Sequence, residues 1–317
     1  MFLVSTFLAL LVTGITASSL KVLTSNGIRR SYWVHTPSSY DDSKSYPIVL
    51  AFHGSSKLGH DIDGFAMEAD TRLTLPVFST KYSESKIFVY PNGARGTWAG
   101  PSYANASVPE DLQFISDLLL NLKENFNVDD SRIYATGLSN GGGFVGILAC
   151  APVGSKFSAF AAVAGAFYEK ASGIDVGNCA VGRGVVPMLE IHGGSDKTVN
   201  YEGGVGEGGI EPSILSWLEL WQRRNWCSQT PVVEDLDRGV HHSSWSCGEK
   251  KVEGVLQHWK VDGGGHYWPS KTENTGMLVA MAGPQPIEAS DIVIDFFDKW
   301  VLGKQSLADR RDQELSD

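Results

Sequence analysis

Basic residues are scarce in this chain: Lys and Arg number 26 against 36 Asp and Glu, a formal charge of −10, and no run of Lys or Arg stands out. A protein that neutralises phosphates needs clustered cations, so nucleic acid and anionic membrane surfaces are excluded as partners. Cysteine is sparse as well, at four, and no two cysteines stand two residues apart. The spacing of a zinc site is therefore missing, and the neighbours His241 and His242 cannot easily face one ion. Beyond residue 15 no apolar run is long enough to span a bilayer. Internal repeats are absent too.

What is present begins with Phe2 to Ile15, an uncharged and mostly apolar run followed by the small residues Thr16, Ala17 and Ser18. That is the pattern of a signal peptide over residues 1–17, and it predicts a secreted, extracellular protein. The 317 residues, at 42% hydrophobic content, can bury a large core, and the mature chain fits one catalytic domain over residues 18–303. Beyond Gly303 the chain is polar and charged, so residues 304–317 are expected to fray. The sequon Asn105-Ala106-Ser107 makes Asn105 a candidate glycosylation site.

Along the mature chain, Leu20–Leu23 and Arg30–His35 flank Asn26-Gly27, a strong hairpin signal. Ile48–Phe52 and Ile87–Tyr90 are continuous apolar runs, as expected of strands buried on both faces. The stretch from Lys57 to Ser85 contains a helical pattern around Phe65 to Leu73 and a breaker at Pro76. A helix is predicted from Glu110 to about Asn125, with acidic residues in its first turn and Leu112, Ile115, Leu118, Leu119 and Leu122 as its apolar stripe. Further strands are predicted at Phe160–Ala164, Val185–Ile191 and Val255–Val261. Helices are predicted at Ile214–Trp226 and around Ile292 to Trp300, while Gly203–Gly209 reads as a mobile loop. Strands alternating with helices after an antiparallel start imply an α/β fold, a mostly parallel sheet with helices on both faces and an antiparallel N-terminal hairpin.

The chain is organised around Ile133 to Gly143. A strand-like run leads into Gly137-Leu138-Ser139-Asn140-Gly141 and then into an apolar helical segment, the form of a nucleophile elbow. Serine becomes a useful nucleophile when a tight turn projects its hydroxyl toward a base, and only small residues fit two positions either side. In a parallel sheet, residues directly after strands converge at the carboxyl edge. Ser139, Asp196 and His266 hold such positions, in the chain order Ser, Asp, His of α/β-hydrolases. His266 stands ahead of His192 and His258 because it follows the final strand on a Gly-rich loop. The His53-Gly54 loop reads either as a simple turn or as a donor of a backbone N–H to an oxyanion, from Ser55, with a second from Asn140. Trp98, Tyr103, Tyr267 and Trp268 fall on loops near the site and are candidate substrate-binding residues, or residues that merely pack those loops.

Four cysteines in an exported chain are two disulfides with three possible pairings. Position favours Cys150 with Cys179 and Cys227 with Cys247.

His53-Gly54, the Trp98 loop, Arg132 to Gly142, His192-Gly193 with Asp196, Asn225-Trp226-Cys227 and Gly265-His266-Tyr267-Trp268-Pro269 together resemble the secreted esterases that include feruloyl esterases and polyhydroxybutyrate depolymerases. The likeness is greatest to the fungal single-domain feruloyl esterases of carbohydrate esterase family one, over about residues 20 to 302. The resemblance implies an α/β-hydrolase with the triad Ser139, Asp196 and His266. It also implies a covalent acyl-enzyme, no metal or organic cofactor, and hydroxycinnamoyl esters of plant cell-wall polysaccharide as substrate. A monomer is expected. The alternatives are an acetylxylan esterase, a polyester depolymerase or lipase, and, in a different class, a non-catalytic carbohydrate-binding homologue. Non-reducing peptide mapping should recover Cys150–Cys179 and Cys227–Cys247 as the linked pairs. A free thiol or a crossed pair would refute the assignment.

Overall fold

The computed structural model describes residues 18–56, 82–168, 179, 184–271 and 283–303. The predicted signal segment 1–17, the helical pattern at Phe65 to Leu73 with Pro76, most of the connection between residues 169 and 183, and the tail 304–317 lie outside the described residues.

Twelve strands and four α-helices carry the described chain. The strands are β1 Ser18–Ser25, β2 Ile28–His35, β3 Tyr46–Phe52, β4 Ile87–Pro91, β5 Val128–Leu138 and β6 Ala159–Val163. They continue with β7 Met188–Gly193, β8 Gly204–Gly206, β9 Gly209–Glu211, β10 Val232–Leu236, β11 Val240–Cys247 and β12 Val252–Val261. The helices are α1 Val108–Asn125, α2 Asn140–Cys150, α3 Ile214–Arg224 and α4 Ala289–Phe297. Ten strands form one sheet in the order β1-β2-β4-β3-β5-β6-β7-β12-β11-β10. From β4 to β12 neighbouring strands run parallel, and the pairs β1–β2 and β11–β10 close the two edges antiparallel. The predicted N-terminal hairpin is present, with Asn26 and Gly27 both at positive φ in its two-residue turn.

The antiparallel ribbon at the other edge was not anticipated. Strand β10 is exposed along its whole length, and β11 is polar apart from Val240, Trp245 and Cys247. Such a segment lacks the buried run by which strands are read from sequence. It is tied back to α3 by Cys227–Cys247, while Cys150–Cys179 holds the end of α2. Both pairings agree with the expectation. The glycine-rich Gly203–Gly209 is likewise not a loose loop, since β8 and β9 pair across it as a short hairpin.

Helices cover both faces. The register shows it: Tyr134 pairs with Val49 and so shares its face, whereas Phe52, three residues on, points to the opposite one.

 Phe144 of α2 packs edge-on to Phe52 with ring centres 5.3 Å apart, and Phe297 of α4 stacks on Tyr134 at 4.8 Å, so α2 and α4 lie on opposite sides of the sheet.

Helix α1 starts where its sequence says it should: Ser107 and Glu110 form a reciprocal capping box, and Pro109 sits in the first turn. Its second acidic residue does something else. Asp111 is fully buried and accepts from the Arg30 guanidinium at 2.9 Å through one oxygen and from the Ala99 amide at 2.8 Å through the other. It therefore joins β2, α1 and the Trp98 loop, and the Arg30 guanidinium lies over the Phe114 ring, 4.0 Å from its centre. Removing one partner of a buried ion pair leaves the other charge uncompensated. Asp111→Ala is thus expected to lower stability by about 3–5 kcal/mol, read as a fall in the urea midpoint; a loss below about 1 kcal/mol would show that Arg30 finds water or another partner.

Candidate active site

Ser139 sits between β5 and α2 with φ 57° and ψ −120°, a backbone conformation that costs a non-glycine residue of order 1–3 kcal/mol. The neighbours hold it there. Its amide donates to the Val163 carbonyl at 3.0 Å, and its carbonyl accepts from the amides of Gly143 at 2.9 Å and Ala166 at 3.0 Å. The turn is so tight that a Cβ on Gly137 would lie 2.5 Å from the Gly141 carbonyl, and one on Gly141 would lie 2.2 Å from the Phe52 oxygen. Both flanking glycines of the pentapeptide are therefore required by close approach.

The three strand-end residues converge. His266 Nε2 lies 2.8 Å from Ser139 Oγ, and His266 Nδ1 lies 2.8 Å from Asp196 Oδ2. The other Asp196 oxygen accepts from the amides of Thr198 at 2.8 Å and Val199 at 2.9 Å, so the carboxylate is fixed from both ends. Burial pushes the Asp196 carboxyl up, but the hydrogen bond and charge of His266, the Val199 amide and the charge of His192 outweigh it and hold the group below the usual carboxylate range. The loops carrying Asp196 and His266 touch directly, since a Cβ on Gly193 would meet the Gly264 carbonyl at 2.3 Å. An ionised carboxylate on Nδ1 leaves the Nε2 lone pair free to take the serine proton, which is the chemistry of a serine hydrolase.

The His53 loop lies against the same serine: a Cβ on Gly54 would stand 3.3 Å from Ser139 Cβ and 3.8 Å from its Oγ. His53 braces the loop, its Nε2 accepting from the Gly93 amide at 3.0 Å and its Nδ1 lying 2.6 Å from the Gly54 carbonyl. Ser55 follows on this loop, and Asn140 opens α2, where first-turn amides have no intrahelical acceptor. The Asn140 side chain clamps the neighbouring loop by accepting from the Trp98 amide at 2.8 Å and donating to the Trp98 carbonyl at 3.0 Å.

Two of the four candidate substrate-binding residues are corrected by burial. Trp98 and Trp268 are each 0% exposed. Trp98 stacks on Phe144 at 5.1 Å beneath the elbow, and Trp268 donates its indole N–H to Ser290 at 3.1 Å. Loop aromatics flanked by glycine and proline look accessible in a sequence, yet here they fill the space under the loops that carry the site. Tyr103 and Tyr267 remain half-buried, and Tyr267 donates to Gln285 at 2.7 Å. Asn105 is exposed and bonded to the Thr97 hydroxyl at 3.1 Å, and Ser107 of its sequon is the N-cap of α1.

Sequence reasoning passed over Glu211 and Tyr168. Glu211, buried on β9, is hydrogen-bonded to Tyr168, and Tyr168 is bonded in turn to Tyr103. Burial first, then Tyr103 and after it Glu211, pushes the Tyr168 hydroxyl up; burial likewise pushes Glu211 up against the pull of Tyr168 and His266. His192 and His258 were weighed only as rivals of His266, whereas the structure places His192 beside Asp196, with Glu190 paired to both histidines. The only signal for them was the interruption of apolar strands by polar residues at 190, 192 and 258.

A mostly parallel sheet, a strained serine at a strand end and a His–Asp pair supplied by two later strand ends define an α/β-hydrolase. No protein-family model matches the chain. In sequence it is similar to the probable feruloyl esterase C of Aspergillus niger, 28% identical over 66% of this chain and 76% of that protein. It is also similar to the bifunctional acetylxylan esterase/xylanase XynS20E of Neocallimastix patriciarum, 28% identical over 76% of this chain and 31% of that protein. Alignments with other curated feruloyl esterases span less than two thirds of their length, from 56 to 61%. Among solved structures, an acetyl xylan esterase from Aspergillus awamori shares the fold with a TM-score of 0.58, at 16% identity, over 88% of this chain and 98% of that one. With its fold and site, this kinship makes the chain a carboxylic ester hydrolase. Ser139→Ala is expected to keep the thermal midpoint while lowering kcat on p-nitrophenyl acetate by about 10⁴-fold or more; a purified, folded variant with substantial turnover would remove Ser139 from the chemistry.

Proposed function

We propose that this protein is a secreted serine esterase that hydrolyses hydroxycinnamoyl esters of plant cell-wall polysaccharide, with Ser139 as nucleophile, His266 as general base and acid, and Asp196 as the group that orients His266. The observation that carries the reading is the pair of 2.8 Å contacts linking Ser139, His266 and Asp196. Ser139 Oγ attacks the ester carbonyl as His266 Nε2 takes its proton, and the tetrahedral oxyanion is met by the backbone N–H groups of Ser55 and Asn140. His266 then protonates the departing sugar hydroxyl, leaving a feruloyl-type acyl group on Ser139. Water, deprotonated by the same nitrogen, releases the acid. Apart from the ester and that water, residues of this chain supply every group in the sequence.

The acyl group is argued from the relatives and from chemistry. Curated relatives carry the names feruloyl esterase and acetylxylan esterase. With Trp98 and Trp268 assigned to the core, an aryl site is supported by Tyr267, which feels the charge of Asp196, and by Tyr103, which packs edge-on to Tyr168. Secretion is supported by the leader-like residues 1–17 and by two disulfides, which persist in oxidising surroundings. Among the described residues no helix is long and apolar enough to cross a membrane. The protein is expected to act as a monomer.

The acetylxylan alternative has its own support in the relative from Neocallimastix patriciarum. Measured kcat/KM should be higher for methyl ferulate or methyl caffeate than for acetylated xylan or long-chain p-nitrophenyl esters. Highest activity on acetylated xylan would move the assignment to that class, and highest activity on long acyl chains or a polyester film would move it to a lipase or depolymerase.

A further inference from the structure

Asp196 has a second imidazole beside it. His192 Nε2 lies 3.6 Å from Asp196 Oδ2, the same oxygen that His266 Nδ1 contacts at 2.8 Å. His192 is fully buried at the end of β7, and both of its ring nitrogens face acceptors: Nδ1 is 2.8 Å from Glu190 Oε1, and Nε2 is 3.0 Å from the Val199 carbonyl. A neutral imidazole has one N–H and one lone pair. Whichever nitrogen carried the lone pair would aim it at a buried oxygen, an arrangement that costs the full penalty of an unmade hydrogen bond plus repulsion. Both nitrogens therefore carry protons, and His192 is a buried cation.

Glu190 is the counter-charge that keeps it so. Its side chain is 0% exposed, and its second oxygen lies 2.7 Å from His258 Nδ1, whose Nε2 is 2.9 Å from the Tyr201 hydroxyl. Burial pushes the Glu190 carboxyl up, but the charge and hydrogen bonds of His192 and His258 prevail and hold it low. Burial pushes His192 down, and Glu190, Val199 and Asp196 prevail to hold it high. The remaining groups around His192 are the Tyr201 ring, edge-on at 5.9 Å and itself beneath the Lys260 ammonium, and more distantly Glu211 of β9. Asp196 is faced by His192, His266, Tyr267 and Glu211.

We infer that His192 is a positioning residue for the triad: a cation, held by Glu190, that shares the Asp196 carboxylate with His266 and so keeps that carboxylate charged and aimed at His266. The inference rests on the reading of Ser139, His266 and Asp196 as the catalytic groups. The charge of His192 is one of the groups that hold the Asp196 carboxyl below its usual range. Without that charge Asp196 takes up its proton at higher pH and ceases to orient His266 and stabilise its cation, so with His192 in place activity extends toward acid. Asp196 in turn stays ionised at lower pH, so the base keeps its orientation.

The test is the pH profile of kcat/KM on p-nitrophenyl acetate, a substrate that does not depend on the acyl preference, for the full chain and for Glu190→Gln. The amide removes the charge that keeps His192 protonated, while the Nε2–H bond to Val199 can persist. The acid limb should move upward by about one pH unit. At pH values below the wild-type midpoint the rate should then fall about tenfold, with a much smaller change on the alkaline plateau and in KM. A folded Glu190→Gln enzyme that loses activity equally at every pH, with its acid limb in place, overturns the inference and leaves the cluster a packing role. If the variant does not fold, ¹⁵N-histidine NMR of the unsubstituted protein decides the same point: His192 should show two protonated ring nitrogens at pH 7, and a neutral ring there overturns it. A failed triad reading would show itself separately, as turnover by Ser139→Ala.

Discussion

The backbone of Ser139 is the constraint around which the molecule is built. An L-residue at φ 57° and ψ −120° persists only where its surroundings leave no alternative, and here three backbone hydrogen bonds, from β6 and from the residues after the serine and after β6, hold it. The geometry then propagates outward through close approach. Gly141 lets the start of α2 press against the end of β3, Gly142 meets Gly165, and Gly143 faces the Ala166 carbonyl, each at distances that leave no room for a Cβ. Neighbouring strand ends are thereby brought into contact with the elbow. The same compactness brings Gly54 of the loop after β3 against the serine, where an amide can face its reaction product.

Around this turn the protein places two buried ionic systems. Arg30 and Asp111 join β2, α1 and the Trp98 loop, and the Trp98 backbone is in turn clamped by the Asn140 side chain at the head of α2. Glu190, His192 and His258 sit behind Asp196 at the ends of β7 and β12. Buried charges of this kind are weak contributors to net stability, because desolvation offsets most of their attraction. Their value lies in direction: one fixes a loop against the elbow helix, and the other sets the field in which the His–Asp pair works.

The site was largely legible in the sequence. The elbow announces itself by a strand-like run, small residues at fixed offsets and an apolar helix, and Asp196 and His266 are readable because a parallel sheet sends functional residues to strand ends. The parallel strands were legible for the same reason, as continuous apolar runs. The polar edge ribbon β10–β11 was not, since half of its residues face water and carry no burial signal. Trp98 and Trp268 show the opposite failure. Their positions on loops beside the site are correct, but whether an indole on such a loop faces solvent or fills the space beneath depends on packing against Phe144, Phe114 and Ser290, which are distant in sequence.

What the sequence by itself determined is therefore the set of local necessities: where a turn must be tight, where a strand is buried on both sides, where a helix is capped, and which three residue types can perform acyl transfer. Those follow from steric and burial rules that act over a few residues. Only the tertiary structure decided what the other strand histidines do, with His192 beside Asp196 and His258 on Glu190, because His192, His258 and His266 are alike in type and differ only in what surrounds them. Their roles come from partners 2 to 127 positions away, brought within 3 Å by the sheet, and what a side chain does in a buried place is a property of that place.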